Sequence, residues 1–285
     1  MTTYRSEVII NTKEQIYKSV LTDCVSEVLY LNFIRVTKDN IDKEPPCCAI
    51  SGKQGALKKA WLKQRFDDGL IFYRSEERGK CFIEYIPAEN AWAPIEADGY
   101  IFINCLWVSG DFKGKGYSNE LLSKCIRDAS AQGKNGICIL SSSGRKKEFH
   151  SDPKYLAYKG FSVADCSDCG ITLMYLPLKD GAVVPKFKDC AKHPKTVETG
   201  FVVYYTDQCP FAYYWVSRIE KTAQEHKIPL KTVHITAKEA AQNAPTPVTT
   251  YALFNDGKLL TTVIQSDKKF LALAGDSVIN APELK

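Results

Sequence analysis

The most regular pattern of hydrophobic and polar positions lies in the middle of the chain. Residues 100–108 are almost continuously apolar, which predicts a buried strand. A turn rich in Gly and Lys follows at residues 109–116. The segment after the turn repeats apolar residues at the spacing of one helix face: Leu121, Leu122, Cys125 and Ile126. The pattern therefore predicts a strand, a glycine-rich turn and an amphipathic helix in direct succession.

Alternating and apolar segments on both sides of this stretch predict an α/β (α+β) fold. Before the central strand we predict a strand at residues 30–36, a helix at 58–66 and a hairpin of strands at 70–74 and 80–86. After the central helix we predict a strand at 137–140, a short helix that begins at Asp152 and Pro153, and closing strands at 161–164 and 171–176. The acidic and aromatic segment 88–99 is a long loop between strands, and loops of this size often carry function.

The 285 residues are enough for one large domain or two ordinary domains. A capping box at Thr12 and Gln15 begins an N-terminal helix, which is expected to pack on the first domain or on a second subunit. A charged segment with little periodicity has the composition of a linker. The four predicted segments are a helical leader (1–28), a first domain (29–178), a linker (179–199) and a second, smaller domain (200–285).

The second domain follows the order strand, helix, strand, β-hairpin and helix. This is the element order of thioredoxin-like domains. Cys209 would then lie at the start of the first helix, and Pro247 would be the cis-proline that faces it.

The turn before the central helix has the properties of an anion site. Exposed backbone N–H groups and the helix dipole both favour negative charge at such a position. Gly114 and Gly116 let the backbone approach a ligand closely, and Lys113 and Lys115 add positive charge. Neither a P-loop sequence nor the dinucleotide-binding glycine fingerprint is present. We therefore predict a pyrophosphate site, with a lysine-rich surface turn as the alternative.

The same turn resembles the acyl-CoA loop of the GCN5-related N-acetyltransferases, the GNAT superfamily. That loop reads roughly V-x-P-x-Y-[QR]-x-x-G-x-[GA]; here Lys113 replaces the Gln or Arg, and Ser118 replaces the last Gly or Ala. The segment Y-L-A-Y-K-G-F at residues 155–161 resembles the closing signature of the superfamily. Residues 82–108, with Cys47-Cys48, resemble more closely a subgroup that carries a C-terminal YoaP-like region. The resemblance implies a mixed, twisted sheet flanked by helices, with acetyl-CoA as co-substrate.

By this resemblance, two segments would hold acetyl-CoA. The main chain of Leu106, Trp107 and Val108 would pair with the pantetheine arm and polarise the thioester carbonyl. The pyrophosphate would bind to the turn and the first helical residues: Lys113, Gly114, Lys115, Gly116, Tyr117, Ser118 and Asn119. The general acid of the superfamily is usually a Tyr, and its position is Leu156 here. We slightly favour the neighbouring Tyr155 as the acid, with packing as the alternative role of its ring.

Three glutamates are candidates for the base or for binding the acceptor amine. Glu84 lies in an apolar strand, where burial would make a carboxylate a stronger base; the alternatives are a salt bridge or a solvated strand face. Glu89 and Glu96 flank Trp92 in the acidic loop, and these three would bind a cationic amine unless they face solvent. Cys105 would lie near the thioester if its side chain points inward, although a Cys in a central strand is usually core.

The eleven cysteines do not form a disulfide framework. Most lie in apolar segments, which favours reduced thiols in a cytoplasm. The predicted helix N-terminus at Cys209 would lower the pKa of its thiol and make it reactive, although no second Cys completes a C-x-x-C pair there. Cys166 and Cys169 form such a pair, but without further zinc ligands, so no metal is expected. Cys47 and Cys48 follow two prolines and are expected near the substrate cleft.

Composition argues against two other classes of protein. No apolar run is long enough to span a bilayer, and the N-terminus lacks the apolar region of a secretory signal. The net charge of +5 is not gathered into a basic stripe, so nucleic acid is not an expected partner.

The expected function is transfer of an acetyl group from acetyl-CoA to a small amine or peptide amine by direct attack on the thioester. A homodimer is one option for the assembly. Two alternatives stay open: a redox or thiol-handling protein that uses Cys209, and a non-catalytic acyl-CoA sensor, which the missing Tyr at position 156 favours.

Overall fold

A computed structural model describes residues 32–48, 51–77, 81–142 and 150–279, with the backbone alone over 276–279. The predicted helical leader, including Thr12 and Gln15, lies outside these residues. None of the helices in this part of the chain combines the length and apolarity needed to cross a bilayer.

The strands of the first part of the chain build one large mixed sheet. In chain order they are β1 (Phe33–Val36), β2 (Ile71–Ser75), β3 (Cys81–Pro87), β4 (Ile95–Glu96), β5 (Tyr100–Val108), β6 (Gly136–Ser142), β7 (Ser162–Cys166), β8 (Ile171–Pro177) and β9 (Lys186–Phe187). Seven of them form a sheet in the order β1-β2-β3-β5-β6-β8-β7, and β4 pairs with β9. Within the large sheet only β5 and β6 are parallel, and the other neighbours are antiparallel.

Three helices flank this sheet: α1 (Gly52–Asp67), α2 (Tyr117–Ala131) and α3 (Pro153–Tyr158). The apolar face predicted for α2 is buried, with Leu121 and Cys125 fully inaccessible. The helix predicted at 58–66 begins one and a half turns earlier and ends before Gly69, whose φ of 87° is left-handed. Asp152 caps α3, because its Oδ1 accepts a hydrogen bond of 2.7 Å from the backbone N–H of Lys154.

The segment predicted as a linker is instead packed against the first domain. It contains β9 and α4 (Asp189–Lys192). Phe187 and Ala191 are 2% and 0% exposed, and both belong to the main apolar cluster. The sequence pattern missed this because both elements are too short to display periodicity.

The second domain has the predicted order of elements. It consists of β10 (Phe201–Tyr205), α5 (Pro210–Glu225), β11 (Leu230–His234), α6 (Lys238–Ala241), β12 (Tyr251–Asn255), β13 (Lys258–Thr261) and α7 (Asp267–Ile279). The sheet order is β11-β10-β12-β13, with β10 and β11 parallel. The prediction that Pro247 is a cis-proline is wrong, because the described residues contain no cis peptide bond. Thr246 instead forms a local turn, in which its Oγ1 accepts a hydrogen bond of 3.3 Å from Val248 N–H.

The two domains share one apolar cluster. It contains Trp92 from the segment after β3 and Val248 from the segment before β12. The Thr249 hydroxyl donates to the Trp92 carbonyl at 2.5 Å, and Gln242 Nε2 donates to the Ala91 carbonyl at 3.0 Å. The predicted acidic loop at residues 88–99 is therefore largely buried, because the second domain packs on it.

Candidate active site

The strands β5 and β6 separate halfway along their length. Their parallel pairing ends at Ile103, which lies opposite Ile139. Asn104, the next residue, is the extra residue of a β-bulge where β5 pairs with β3. From Asn104 to Val108, no described strand pairs with β5 on its other side. The main chain of this segment therefore faces an open gap.

The glycine turn opens directly into α2. Gly116 is the N-cap residue, with φ 82°, and Gly114 has φ 77°. Both conformations are left-handed, which explains why glycine stands at these positions. No side chain of the described segments caps the first turn of α2, and residues 113–116 are exposed. Lys113 and Lys115 therefore lie beside uncapped backbone N–H groups, which is the arrangement predicted for an anion site.

A cavity of about 330 Å³ lies between the two domains. From the first domain, β5 contributes Asn104 to Trp107 and β6 contributes Ile139 and Leu140, so the cavity reaches the gap between these strands. From the second domain come residues 208–211 at the start of α5 and residues 247–250 before β12. The volume is at the lower end of the range for small-molecule sites.

A buried ion pair forms part of the cavity wall. Glu84 of β3 lies within 2.7 Å of the Lys58 ammonium of α1, and both side chains are 1% exposed. Lys58 Nζ also lies 4.4 Å from the centre of the Trp61 ring. The salt bridge that was one alternative for Glu84 is present, and it also lines the cavity. Removing either partner would leave an uncompensated charge in an apolar environment.

Four thiols converge on the same cavity: Cys47, Cys48, Cys105 and Cys209. Cys47 and Cys48 both line this cavity, and Cys47 has a left-handed φ of 67°. Burial, and then the negative charge of Glu84, raise the pKa of Cys105 well above its ordinary value. A hydrogen bond with Cys47, together with burial, raises the pKa of Cys48. At least these two thiols are therefore protonated at neutral pH.

The pKa of Cys209 is shifted in the direction opposite to that expected from its position. Burial raises the pKa of its thiol to about 11, and the nearby Cys47 adds to the shift. The backbone N–H groups of Phe211 and Ala212 and the charge of Lys58 act in the lowering direction but are outweighed. The prediction of a lowered pKa is wrong, because loss of solvation outweighs the helix N-terminus here.

Tyr155 lies at the glycine turn, not in the described wall of the cavity. Its hydroxyl donates to Asn119 Oδ1 at 3.3 Å. Burial raises the pKa of Tyr155, and a hydrogen bond with Ser118 acts in the opposite direction. Leu156, at the position usual for the acid, is fully buried.

The two acidic residues of the predicted substrate loop have partners outside the cavity. Glu89 accepts a hydrogen bond of 2.7 Å from Gly99 N–H and lies 3.6 Å from Lys134. Glu96 lies 3.0 Å from Lys186, across the β4–β9 pair. Neither glutamate is among the described residues that line the cavity, whereas Trp92, between them in sequence, is. Cys166, the last residue of β7, and Cys169, in the turn before β8, are exposed and are not among the residues that line the cavity.

Two titratable residues of the wall, Lys58 and His150, were missed from the sequence. Lys58 lies one turn before Trp61 and Leu62, so its position on the buried face of α1 was visible in the spacing. His150 also lines the cavity, but no pattern in the sequence pointed to it. Burial lowers the pKa of its imidazole to about 4. No cluster of three or more potential metal ligands occurs in the described segments.

The chain is similar to several known proteins. The chain is 41% identical over 243 residues to a protein of Bacillus subtilis (strain 168) named "Uncharacterized N-acetyltransferase YoaP", covering 84% of this chain and 96% of that protein. A profile described as YoaP-like matches residues 229–271. Among solved structures, the chain is similar to the GNAT family N-acetyltransferase YhbS from Escherichia coli in complex with CoA (12% identity, 58% of this chain, 93% of that one, TM-score 0.39). It is also similar to YncA, a putative acetyltransferase from Salmonella typhimurium with acetyl-CoA (15% identity, 54% of this chain, 97% of that one, TM-score 0.37).

The identity to the Bacillus subtilis protein shows the class, which is that of the GNAT acetyltransferases. With this level of identity over nearly the whole relative, the chain belongs to the YoaP family of GNAT-type N-acetyltransferases. Acetyl-CoA is the co-substrate that this class of enzyme uses.

Proposed function

We propose that the protein transfers the acetyl group of acetyl-CoA to an amine that occupies the cavity between its two domains. The observation that carries the proposal is the continuity between the gap and the cavity. Trp107 of β5 and Leu140 of β6 border the gap and also line the cavity. A thioester that enters through the gap would therefore meet an acceptor in the cavity.

The turn and the open edge of β5 hold the co-substrate. The segment from Lys113 to Asn119 binds the pyrophosphate through the backbone N–H groups of Gly114 to Ser118, because those of Lys113 and Asn119 already donate to backbone carbonyls. The Lys113 ammonium adds a charge beside it. The main chain from Leu106 to Val108 pairs with the pantetheine arm, because this edge of β5 has no partner among the described strands. A backbone N–H of the same edge polarises the thioester carbonyl.

The acceptor amine attacks the thioester carbonyl carbon directly. An N–C bond forms, the C–S bond breaks, and the products are an amide and CoA. Glu84, held by Lys58, accepts the proton that the nitrogen loses, and this proton finally reaches the departing sulfur. Cys105 stays protonated beside them and takes no covalent part. Tyr155 positions Asn119 at the start of α2.

The placement of the pyrophosphate is tested by reversing one charge. Lys113→Glu is expected to weaken acetyl-CoA binding by about tenfold or more, because a carboxylate would lie beside phosphate. The measurement is isothermal titration calorimetry. Lys221→Glu is the control, since Lys221 is 78% exposed on α5 in the other domain. Unchanged affinity in Lys113→Glu would contradict the proposed phosphate site.

The thiol-handling alternative has little support from the cavity. Thiolates, not thiols, react with disulfides and electrophiles. Burial raises the pKa of Cys209 to about 11, so its thiolate is scarce at neutral pH. A sensor that binds only acyl-CoA would not need a second lined space beside the gap, whereas a transferase would.

A further inference from the structure

We propose that the acceptor is a small, apolar nitrogen nucleophile that is uncharged at neutral pH, of which an aromatic amine is the simplest example. This inference rests on the proposed acetyl transfer and names the class of acceptor. Three properties of the cavity carry it: its size, its charge balance and its unpartnered polar atoms.

The size of the cavity limits the acceptor to a small molecule. Its volume of about 330 Å³ must hold the acetyl end of the co-substrate as well as the acceptor. The start of α5 and the segment before β12 form the part of the wall that the second domain contributes. Hydrogen bonds from Thr249 to Trp92 and from Gln242 to Ala91 hold these segments on the first domain. A lysine side chain or N-terminus of a folded protein would have to reach into a space that residues of both domains line.

The charge balance of the wall disfavours an ammonium ion. Among the described residues of the wall, Lys58 and Glu84 are the only Lys, Arg, Asp or Glu side chains, and they neutralise each other at 2.7 Å. An ammonium ion would either stay unpaired or take Glu84 from Lys58, and both outcomes bury an uncompensated charge. Glu89 and Glu96, which would otherwise attract a cation, bind Lys134 and Lys186 outside the cavity.

The other titratable groups of the wall do not provide a negative charge. Burial keeps His150 neutral, with a pKa of about 4. The thiols of Cys48, Cys105 and Cys209 have raised pKa values and are protonated. The remaining surroundings are mainly aromatic and aliphatic, including Phe102. An uncharged ring therefore fits this wall at a lower desolvation cost than a cation does.

Among the described residues, three buried polar atoms of the lining residues have no hydrogen-bond partner. They are Asn104 Oδ1, at the bulge of β5, Trp92 Nε1, and Glu84 Oε2, which lies 2.7 Å from the Lys58 ammonium. An unpaired buried polar atom is costly, so such atoms often mark the place of a ligand. The carbonyl oxygen of Asn104 is a neutral acceptor that suits the N–H of an uncharged amine.

The first experiment compares aniline with cyclohexylamine, which share six carbons and one ring but differ in charge at pH 7. The acetylated product is measured by mass spectrometry, because the protein thiols would react with a thiol reagent. We expect a kcat/KM for aniline at least about tenfold higher at pH 7, since an aliphatic amine with a pKa near that of lysine is only ~0.04% neutral there. Equal or faster acetylation of cyclohexylamine would overturn the inference and leave the proposed acetyl transfer standing.

The pH dependence separates the two amines further. The kcat/KM for cyclohexylamine is expected to rise about tenfold per pH unit from about pH 6 to 9, following its own deprotonation, while that for aniline stays nearly flat. A plateau for cyclohexylamine near neutral pH would contradict the inference, because it would mean that the site binds the ammonium ion and removes its proton.

The third experiment adds a negative charge to the cavity wall. Asn104→Asp puts a carboxylate at the unpartnered position and is expected to raise the kcat/KM for cyclohexylamine about tenfold, relative to aniline. Asn104→Leu is the uncharged control and should produce no such gain. The same preference in Asn104→Asp as in the wild type would contradict the inference.

Calorimetry on the wild-type protein distinguishes failure of the inference about the acceptor from failure of the proposed acetyl transfer. Aniline and cyclohexylamine are titrated into the protein saturated with CoA, and we expect heat of binding from aniline alone. If CoA binds but aniline neither binds nor reacts, the inference is wrong. If CoA itself does not bind, the proposed function fails with it.

Discussion

The protein contains two strand–turn–helix units that look alike in sequence but behave differently in the fold. In the first domain β5 leads through a glycine turn into α2, and in the second β10 leads through Cys209 and Pro210 into α5. The first helix start is exposed, with Gly116 in a left-handed conformation. The second helix start, at Cys209, packs against the first domain and forms part of the cavity wall.

The comparison teaches that a helix N-terminus attracts negative charge only where solvation permits it. At the start of α2, the open backbone and two lysines favour an anion. At the start of α5, the backbone N–H groups of Phe211 and Ala212 act on the Cys209 thiol, yet burial raises its pKa to about 11. The helix contributes a fraction of a charge, whereas removal from water penalises the whole charge of a thiolate.

The largest effect is expected from breaking the ion pair near the closed helix start. Lys58→Met leaves Glu84 unpaired, and we expect the free energy of unfolding to fall by about 3–5 kcal/mol. Urea denaturation measures it. The double variant Lys58→Met with Glu84→Met should recover most of the loss, because it removes both charges. A loss below about 1 kcal/mol in the single variant would mean that the pair is well solvated.

A second effect follows from the raised pKa of Cys209. Because the folded-state pKa is about 11 against an ordinary value of 9.0, the stabilisation is complete below pH 9 and is lost as the pH rises towards 11. The expected loss is roughly 2–3 kcal/mol relative to Cys209→Ser, which cannot titrate. Cys166→Ser, which removes an exposed thiol, is the control. Parallel stability curves for wild type and Cys209→Ser would show that Cys209 titrates normally.

The open helix start is tested by a pair of glycines at the two ends of α2. Gly116 and Gly133 have φ of 82° and 64°, and an added Cβ would meet nothing within 4 Å at either. Substitution by Ala should cost about 1–2 kcal/mol of stability at each. Only Gly116→Ala should raise the Kd for acetyl-CoA, by about tenfold, because it reshapes the anion turn. Equal Kd changes in Gly116→Ala, Gly133→Ala and Cys209→Ala would remove the distinction between the two helix starts.

The smallest effect is expected from the hydroxyl that contacts the open helix start. Tyr155→Phe removes a hydrogen bond of 3.3 Å to Asn119, and we expect a loss of at most about 1 kcal/mol in acetyl-CoA binding with little change in kcat. If Tyr155 instead protonates the leaving thiolate, kcat should fall by about 10²–10⁴. Steady-state kinetics distinguish the two roles.

The order of elements could be predicted because each long element carries its own periodicity. The buried face of α2 and the Asp152 cap of α3 depend on residues within one or two turns of each other, so local sequence defines them. The short elements β9 and α4 could not be predicted in this way. Their burial depends on the packing of Phe187 and Ala191 against the first domain.

The candidate site was only partly visible in the sequence, for a related reason. Glu84 and Cys105 were recognised as candidates, but the residue that pairs with Glu84, Lys58, lies 26 positions away. Glu89 and Glu96 were expected at the substrate, and the structure gives them lysine partners elsewhere. Such long-range pairings are decided by how the domains pack.

The sequence by itself determined the two strand–turn–helix units, the glycines that the turn of α2 requires and the family to which the chain belongs. The tertiary structure alone decided which of the two helix starts is open and which is buried. It also decided that four distant thiols and one ion pair share a cavity. The physical reason is that backbone conformation is a local property, whereas solvation, and with it charge and pKa, depends on everything that packs around a group.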